Sequence, residues 1–231
     1  MAIEVFDRIY QRAAERKGGE RALEFLLSTP LNANELCQIP DHRYLSTMTK
    51  VIFQSGFVWR VIENKWPAFE EAFFGFEPEK MVMLGDAHID RLLQDARIVR
   101  NGQKIATVPK NAQMILDVSK QHGSFAQFIA DWPGTDITGL WLWLKKHGAR
   151  LGGNSSAYLL RRMGKDTFVL SKDVVAHLIG AGVVDKAPSS QRDLKATQTA
   201  FNHWAEQSGR SLTEISQVIA YSVGDNRVQA E

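Results

Sequence analysis

Two adjacent glycines, Gly152 and Gly153, constrain the fold of this chain more than any other feature of its sequence. They separate two apolar helical patterns, which run from Leu140 to His147 and from Ser156 to Met163. Glycine adopts the positive φ angles of a tight turn and lets the backbone approach a ligand closely. The pattern therefore predicts two helices that are joined by a short turn.

The second of these helices is predicted to begin at a site suited to an anion. Asn154 or Ser155 can cap it, and the free N–H groups at a helix start attract negative charge. Lys145, Lys146 and Arg150 flank the turn and add salt-dependent attraction for phosphates. For the turn alone, an ordinary helix–glycine–helix connection is the simpler alternative, because helices often end at glycine.

A lone acid, Asp173, follows the two helices after a short run typical of a β-strand, Thr167 to Leu170. It precedes an apolar segment, Val174 to Ile179, that is predicted to be helical. Its carboxylate has two open roles, since it can cap that helix or place negative charge beside a substrate. The two roles are compatible.

Helical periodicity continues through nearly all of the remaining chain. Pro67 is predicted to open one helix, and Ser211 with Glu214 forms a capping box that opens the last. The run from Thr167 to Leu170 is too short to build a sheet, so the fold class is predicted to be all-α. We expect a helical extension over residues 1–40 and one large domain over residues 41–231.

Composition excludes several functional classes. The formal net charge of +2 does not by itself indicate a nucleic-acid-binding protein. The single cysteine, Cys37, excludes an internal disulfide and a multi-cysteine zinc site. The N-terminal stretch MAIEVFDRIYQRAAERKGG has no apolar signal core, and no segment approaches the length of a membrane span. A cytoplasmic, monomeric protein with no membrane partner is expected.

Residues 51–111 carry motifs that are typical of one known family. The motifs are FQSGFVW (Phe53 to Trp59), KWPAFEEAFFGFEPEKM (Lys65 to Met81), IDRLLQDARIVRNGQKI (Ile89 to Ile105) and the pair Asn111-Ala112. They include the Gln54–Gly56–Trp59 spacing and the order Leu-x-x-Asp-x-x-Ile-x-Arg. This part of the chain resembles the 3-methyladenine DNA glycosylase I family.

The second half resembles the broader helix-hairpin-helix DNA glycosylase superfamily, through the glycine turn and Asp173. The resemblance implies a two-lobed, all-α glycosylase fold over residues 41–231. It implies that the hairpin, with Gly152, Gly153, Asn154 and Ser155, binds double-stranded DNA, and that Asp173 is catalytic. It also permits a monovalent cation on backbone carbonyls near the hairpin turn. No other cofactor is implied.

Three departures from these families refine the expected function. Members of the first family bind structural zinc through terminal Cys and His residues that have no counterpart here, so no zinc is expected. That family places a base-recognising Glu eight residues before its pocket Trp, and counting back from Trp59 gives Val51. Lyase-active superfamily members carry a Lys 18 residues before the catalytic Asp, and counting back from Asp173 gives Ser155. The last departure implies a monofunctional enzyme.

The base pocket is expected to form around Trp59, with Phe53 and Tyr44 on the preceding helix. A flipped base must be held against aromatic faces, and a cationic alkylated purine would gain cation–π attraction from Trp59. For Phe53 and Tyr44 a role in core packing is the favoured alternative. For Trp59 the two alternatives are evenly balanced.

Together these features predict a monofunctional DNA glycosylase that excises a damaged, alkylated purine in base excision repair. Cleavage of the glycosidic bond builds positive charge on the sugar, which the Asp173 carboxylate would stabilise. Two alternatives stay open at this point. One is a catalytically silent DNA-binding relative that uses the same hairpin, and the other is a helical protein–protein module.

Overall fold

The computed structural model describes residues 3–224 as a succession of α-helices joined by short connections. The helices are α1 Phe6–Lys17, α2 Glu20–Leu26, α3 Ala33–Cys37, α4 Asp41–Gln54, α5 Trp59–Ala72, α6 Pro78–Met81, α7 Asp86–Gln94, α8 Gly102–Ile105, α9 Thr107–His122, α10 Phe125–Asp131, α11 Ile137–His147, α12 Asn154–Arg162, α13 Lys172–Gly180, α14 Gln191–Ser208 and α15 Leu212–Ser222. Two short 3-10 turns lie at Phe74–Phe76 and Gly134–Asp136. The prediction of an all-α fold is confirmed, since residues 3–224 contain no strand.

The strand-like run from Thr167 to Leu170 has no regular secondary structure and forms hydrogen bonds with side chains of α15. Thr167 N–H donates to Thr213 Oγ1 at 3.3 Å, and Val169 N–H donates to Ser216 Oγ at 3.0 Å. These hydroxyls satisfy backbone groups that a neighbouring strand would otherwise have to satisfy. The run therefore leads into α13 as a fixed segment.

A side-chain cap marks the start of several helices, whereas α5 departs from the local expectation. Ser211 and Glu214 form the predicted capping box at the start of α15. The prediction that Pro67 opens a helix is wrong, because Pro67 lies inside α5. Proline there removes one backbone hydrogen bond, but α5 buries Trp66 and Phe69 on its inner face, and this packing holds the helix together.

The chain divides into two compact units whose segments alternate along the sequence. The first unit contains described residues 3–31, 133–139 and 166–224, and the second contains residues 32–132 and 140–165. The expected boundary at residue 40 differs from this division. Helix α1 packs against α15 and α14 inside the first unit, so residues 3–31 are part of its core.

The core of the second unit is built around α4, which packs against α5, α9 and α12. Trp66, Phe69, Phe73 and Phe76 form a stacked aromatic series beside it. The end of α4 and the start of α5 border the hairpin helix α12. This packing sets the position of the loop that joins α4 to α5.

The core of the first unit is formed by α1, α13, α14 and α15. Phe168 stacks on Phe201 with ring centroids 4.0 Å apart, and the indole N–H of Trp204 donates to the Glu4 carbonyl at 2.8 Å. Asp166 accepts the backbone N–H groups of Leu212 and Thr213 at the start of α15. Among the helices of residues 3–224, none combines the length and the apolar character needed to cross a membrane.

Candidate active site

Helices α11 and α12 form the predicted pair, and the turn between them has the expected backbone geometry. Gly153 has φ 58° and ψ −138° and occupies the N-cap position of α12. A residue with a Cβ would be strained in that conformation. Arg150 also adopts a positive φ, of 59°, which is uncommon for a residue other than glycine. The backbone conformation of the turn therefore depends on the positive φ angles of Arg150 and Gly153.

A buried asparagine on α9 forms hydrogen bonds with the backbone of this turn. Ala149 N–H donates to Asn111 Oδ1 at 2.7 Å, and Asn111 Nδ2 donates to the Ala149 carbonyl at 3.2 Å. Asn111 is completely buried, so both bonds form in a low-dielectric setting where a lost partner is costly. Asn111 is one of the residues of the family motif, and in the structure its side chain fixes the backbone of the hairpin turn.

The start of α12 differs in one respect from the prediction. Asn154 is the first helical residue, and the N-cap position belongs to Gly153, which has no side chain with which to cap the helix. The prediction that Asn154 or Ser155 caps α12 is therefore wrong. Lys145, Lys146 and Arg150 are exposed around the turn, and a guanidinium nitrogen of Arg150 donates to Gln103 Oε1 at 2.5 Å.

A cavity of about 280 Å³ opens beside the turn, inside the second unit. Its lining consists of the end of α4, the start of α5, the turn and one face of α12, contributed by Val51, Gln54, Ser55, Trp59, Gly152, Gly153, Asn154, Ser155, Tyr158 and Arg162. The cavity thus brings Trp59 together with the four predicted hairpin residues. Among these lining residues Arg162 is the one charged side chain.

The indole of Trp59 is 46% exposed and is flanked by two side chains of α12. The Tyr158 ring meets it edge-on, with centroids 5.3 Å apart and planes at 89°. The Arg162 guanidinium carbon lies over the indole, 5.1 Å from the ring centroid. The protein itself therefore supplies a cation–π partner for Trp59. The sequence had led us to expect that a cationic substrate base would take this place.

Arg162 belongs to a hydrogen-bonded cluster that reaches from the cavity to α5. Arg162 donates to Gln54 Oε1 at 2.5 Å, and Gln54 Nε2 donates to Glu63 Oε1 at 2.7 Å. Lys50 lies 2.5 Å from the other oxygen of Glu63. Gln54 is buried, and its amide is oriented by charge, with oxygen toward a cation and nitrogen toward an anion.

The pKa values of two residues in this cluster are lowered. Burial opposes ionisation of Glu63, but hydrogen bonds from Lys50 and Gln54 together with the charges of Lys50 and Arg162 outweigh it and lower the pKa of Glu63. Burial lowers the pKa of Arg162, from a value so high that the guanidinium keeps its charge at neutral pH. The cluster thus holds two cations and one anion.

Phe53 and Tyr44 lie in the core of the second unit and outside the lining of the cavity. Phe53 packs edge-on against Phe69 at 4.8 Å, and Tyr44 packs edge-on against Phe125 at 5.4 Å. Burial raises the pKa of Tyr44. Core packing, which the sequence favoured for both, fits this placement.

The loop between α4 and α5 carries exposed apolar side chains next to the cavity. Phe57 is 43% exposed and Val58 is 69% exposed. Lys104 supports the loop from inside the unit by donating to the carbonyls of Phe53 and Ser55, at 3.1 and 2.7 Å. Burial lowers the pKa of Lys104.

Asp173 lies in the first turn of α13, in the first unit. The N-cap of α13 is Ser171, whose Oγ accepts the Val174 N–H at 3.2 Å, so the alternative that Asp173 is the cap is wrong. The carboxylate of Asp173 is partly buried, and the helix macrodipole favours its negative charge. Gly224 packs so closely that a Cβ there would lie 2.6 Å from Asp173 Oδ1.

Residues that sequence reasoning missed include Arg162 and Gln54 as members of the cavity and Phe57 and Val58 beside it. A signal for Arg162 was present, since Tyr158 and Arg162 are four residues apart and share a face of one helix. No group of three or more His, Cys, Asp and Glu side chains that could hold a metal ion occurs in residues 3–224.

The fold is that of the helical DNA glycosylases. A solved structure of the 8-oxoguanine DNA glycosylase of Methanocaldococcus jannaschii matches 93% of this chain and 93% of that chain, with a TM-score of 0.57 and 12% sequence identity. The family model for methyladenine glycosylase matches residues 38–187. The chain therefore belongs to the methyladenine glycosylase family.

Two curated relatives match a shorter stretch. The DNA-3-methyladenine glycosylase of Haemophilus influenzae is 30% identical over 76 residues, which make up 33% of this chain and 41% of that protein. The DNA-3-methyladenine glycosylase 1 of Escherichia coli is 29% identical over 76 residues, again 33% of this chain and 41% of that protein. The chain thus aligns with less than half the length of either relative.

Proposed function

We propose that this protein is a monofunctional DNA glycosylase that excises a damaged, alkylated purine from double-stranded DNA during base excision repair. The observation that supports this most directly is the cavity that Trp59 and the hairpin residues Gly152 to Ser155 line together. An enzyme that acts on a base must hold the flipped base in a pocket while it grips the backbone. The family and the names of the curated relatives agree with this activity.

The proposed DNA grip is the start of α12. The N-cap of α12 carries no side-chain cap, so N–H groups of its first turn are placed to donate hydrogen bonds to a phosphate, as at other helix starts. Exposed Lys145, Lys146 and Arg150 add charge around the same turn. A monovalent cation on the turn's backbone carbonyls is part of the same proposal.

The proposed chemistry relies on Asp173. As the bond between base and sugar breaks, its electron pair leaves with the base and positive charge develops on the sugar. A preorganised carboxylate stabilises that charge and can orient or deprotonate the water that attacks the sugar. Asp173 lies in the first turn of α13, where the positive end of the helix dipole and the carboxylate attract each other.

The enzyme is proposed to stop after base release. A lyase needs an amine that forms a Schiff base with the sugar, and the hairpin position that would carry a Lys is Ser155. We further propose that Phe57 and Val58, exposed beside the cavity, fill the gap left by the flipped base, as apolar wedges do in other DNA-bending proteins. The protein is proposed to act as a cytoplasmic monomer.

An excision assay on a panel of duplexes, each with one modified purine, tests the proposal. We expect release of a free base from at least one alkylated purine, an abasic product that breaks only after alkali, and no protein–DNA crosslink with borohydride. Binding to every duplex without release of any base would instead identify a catalytically silent DNA-binding protein. A borohydride-trapped crosslink would overturn the monofunctional assignment.

A further inference from the structure

We propose that Arg162 is a specificity-determining residue that makes this pocket select an uncharged purine with free hydrogen-bond acceptors on its O6/N7 edge, in preference to a cationic alkylated purine. The inference rests on the proposed function, and it names the class of base that the cavity takes. Four observations carry it, all within the second unit.

The first observation is the charge of the cavity wall. Arg162 is the one charged side chain among the described lining residues, and Val51, which also lines the cavity, is apolar. The lining residues include no carboxylate that could pair with a cationic base. A cationic purine entering the cavity would meet a like charge, which disfavours binding in a partly desolvated site.

The second observation is the position of the guanidinium over Trp59. Its carbon lies 5.1 Å from the centroid of the ring that would stack on the base. A base that stacks on this face of the indole must pack against the guanidinium or displace it to the edge of the base. In both arrangements the positive charge stays next to the purine.

The third observation is that Arg162 is held in place. It donates to Gln54 Oε1 at 2.5 Å, and Gln54 is buried and held from its other end by Glu63 at 2.7 Å. A preorganised guanidinium loses little freedom when it binds a ligand. Gln54 is therefore a positioning residue for Arg162.

The fourth observation is the donor capacity of the guanidinium. Arginine has five N–H donors in a planar fork, and Gln54 accepts from one of its nitrogens. The O6 and N7 atoms of a guanine-type base accept two parallel bonds from such a fork. A methyl group on N7 blocks one acceptor and makes the base cationic, whereas a methyl group on N2 leaves both acceptors free and the base neutral.

Two isomeric lesions separate these classes, N2-methylguanine and 7-methylguanine. Each is placed in a duplex on a 2′-fluorinated sugar, which resists cleavage, and the dissociation constants are measured. We expect the parent protein to bind the N2-methylguanine duplex about ten-fold more tightly than the 7-methylguanine duplex, within the range that one bidentate contact provides. Arg162→Gln should bring the two constants to within about two-fold of each other.

Two further variants control this measurement. Arg162→Lys keeps the charge without the fork, so it should still disfavour 7-methylguanine while it loses affinity for N2-methylguanine. Arg161→Gln changes the neighbouring residue, which does not line the cavity, and should keep the parental ratio. Thermal unfolding of all three variants reports whether the fold is intact.

Two results would overturn the proposal. One is tighter binding of 7-methylguanine by the parent, and the other is an unchanged ratio in folded Arg162→Gln. Base release from unfluorinated duplexes distinguishes failure of the specificity proposal from failure of the proposed function. Release of cationic bases in preference to neutral ones overturns the specificity alone, whereas lesion-independent binding with no release of any base overturns both.

Discussion

Trp59 is the residue on which the base-binding part of the account depends. Its indole is exposed in the cavity, between Tyr158 on its edge and Arg162 on its face. A core tryptophan would have been enclosed, as Trp204 is, with none of its surface exposed. From the sequence, a pocket role and a core role were equally expected for Trp59. Its exposure in the cavity favours the pocket role.

Replacing Trp59 with Ala tests this role. We expect excision to fall far more than binding to an undamaged duplex, because stacking acts only on the flipped base and contributes about 1–3 kcal/mol per base. Single-turnover rates and duplex affinities are the measurements. The control is Phe25→Ala, which removes an aromatic ring that is 91% exposed elsewhere. Equal losses of excision and binding together with a lower melting temperature would mean that Trp59 is structural.

The sequence indicated residues that belong to a recognisable motif. It did not indicate residues whose role depends on contacts with residues that are distant in sequence. Trp59 and the glycine turn could be singled out because they belong to motifs that resemble known families. Phe53 and Tyr44 carry the same chemistry as Trp59, but only packing decides which rings are enclosed. Arg162 gains its role from Gln54 and Glu63, which are distant in sequence.

At the scale of elements, the hairpin α11–α12 is the part that the sequence predicted best. Its helices, its positive-φ glycine and its exposed basic residues all follow from local rules. The cap of α12 was mispredicted because Asn154 and Ser155 are good capping residues wherever they occur, and only the backbone angles of Gly153 fix the helix start. Pro67 was mispredicted because tertiary packing overrides its local preference.

The hairpin as DNA grip predicts a defined salt dependence. The logarithm of duplex affinity should fall linearly with the logarithm of salt concentration, and Lys145→Ala, Lys146→Ala or Arg150→Ala should each reduce the slope by about one unit per lost phosphate contact. Lys195→Ala on α14 is the control for loss of one exposed positive charge. Unchanged slopes in all three hairpin variants would show that DNA is held elsewhere.

Helix α13 carries a buried histidine, from which we expect the first unit to lose stability in acid. Burial lowers the pKa of His177, and the nearby charge of Glu4 opposes this only partly. Its Nε2 has no hydrogen-bond partner among the described residues. As pH falls below about 6.5, the unfolded chain binds a proton that the native state does not, so stability falls.

Replacing His177 with Gln removes this contribution. The free energy of unfolding, measured in urea from pH 7 to pH 5, should fall less steeply in His177→Gln than in the parent protein. His203→Gln, which changes an exposed histidine of α14, should leave the slope as it is. A parental slope in His177→Gln would mean that other groups cause the acid sensitivity.

For the whole molecule, the all-α fold followed from periodicity, but the division into units did not. Residues 3–31 join residues 133–139 and 166–224 in the first unit, and the sequence gives no local sign of which distant helices pack together. Helix α1 was expected to be an extension because it carries no motif. Its stripe of Phe6, Ile9 and Ala13 is buried against other helices of the first unit.

The absence of the family's zinc ligands is a property of the whole chain and gives a prediction for the purified protein. We expect no stoichiometric zinc by elemental analysis, because one cysteine and scattered histidines cannot replace the four ligands. Treatment with a chelator should leave the melting temperature unchanged. One equivalent of tightly bound zinc, or a large loss of stability with chelator, would contradict this expectation.

The most direct test of the account is the rate of base release by Asp173→Asn. The amide keeps the size of the side chain, and Ser171 still caps α13, so the melting temperature should change little. Loss of one preorganised electrostatic group costs a factor of about 10² to 10³ in rate. We expect single-turnover excision to fall by at least that factor while abasic and undamaged duplexes bind as before, with Asp185→Asn as a fully active control. An Asp173→Asn protein that releases the base at the parental rate would contradict the proposed mechanism.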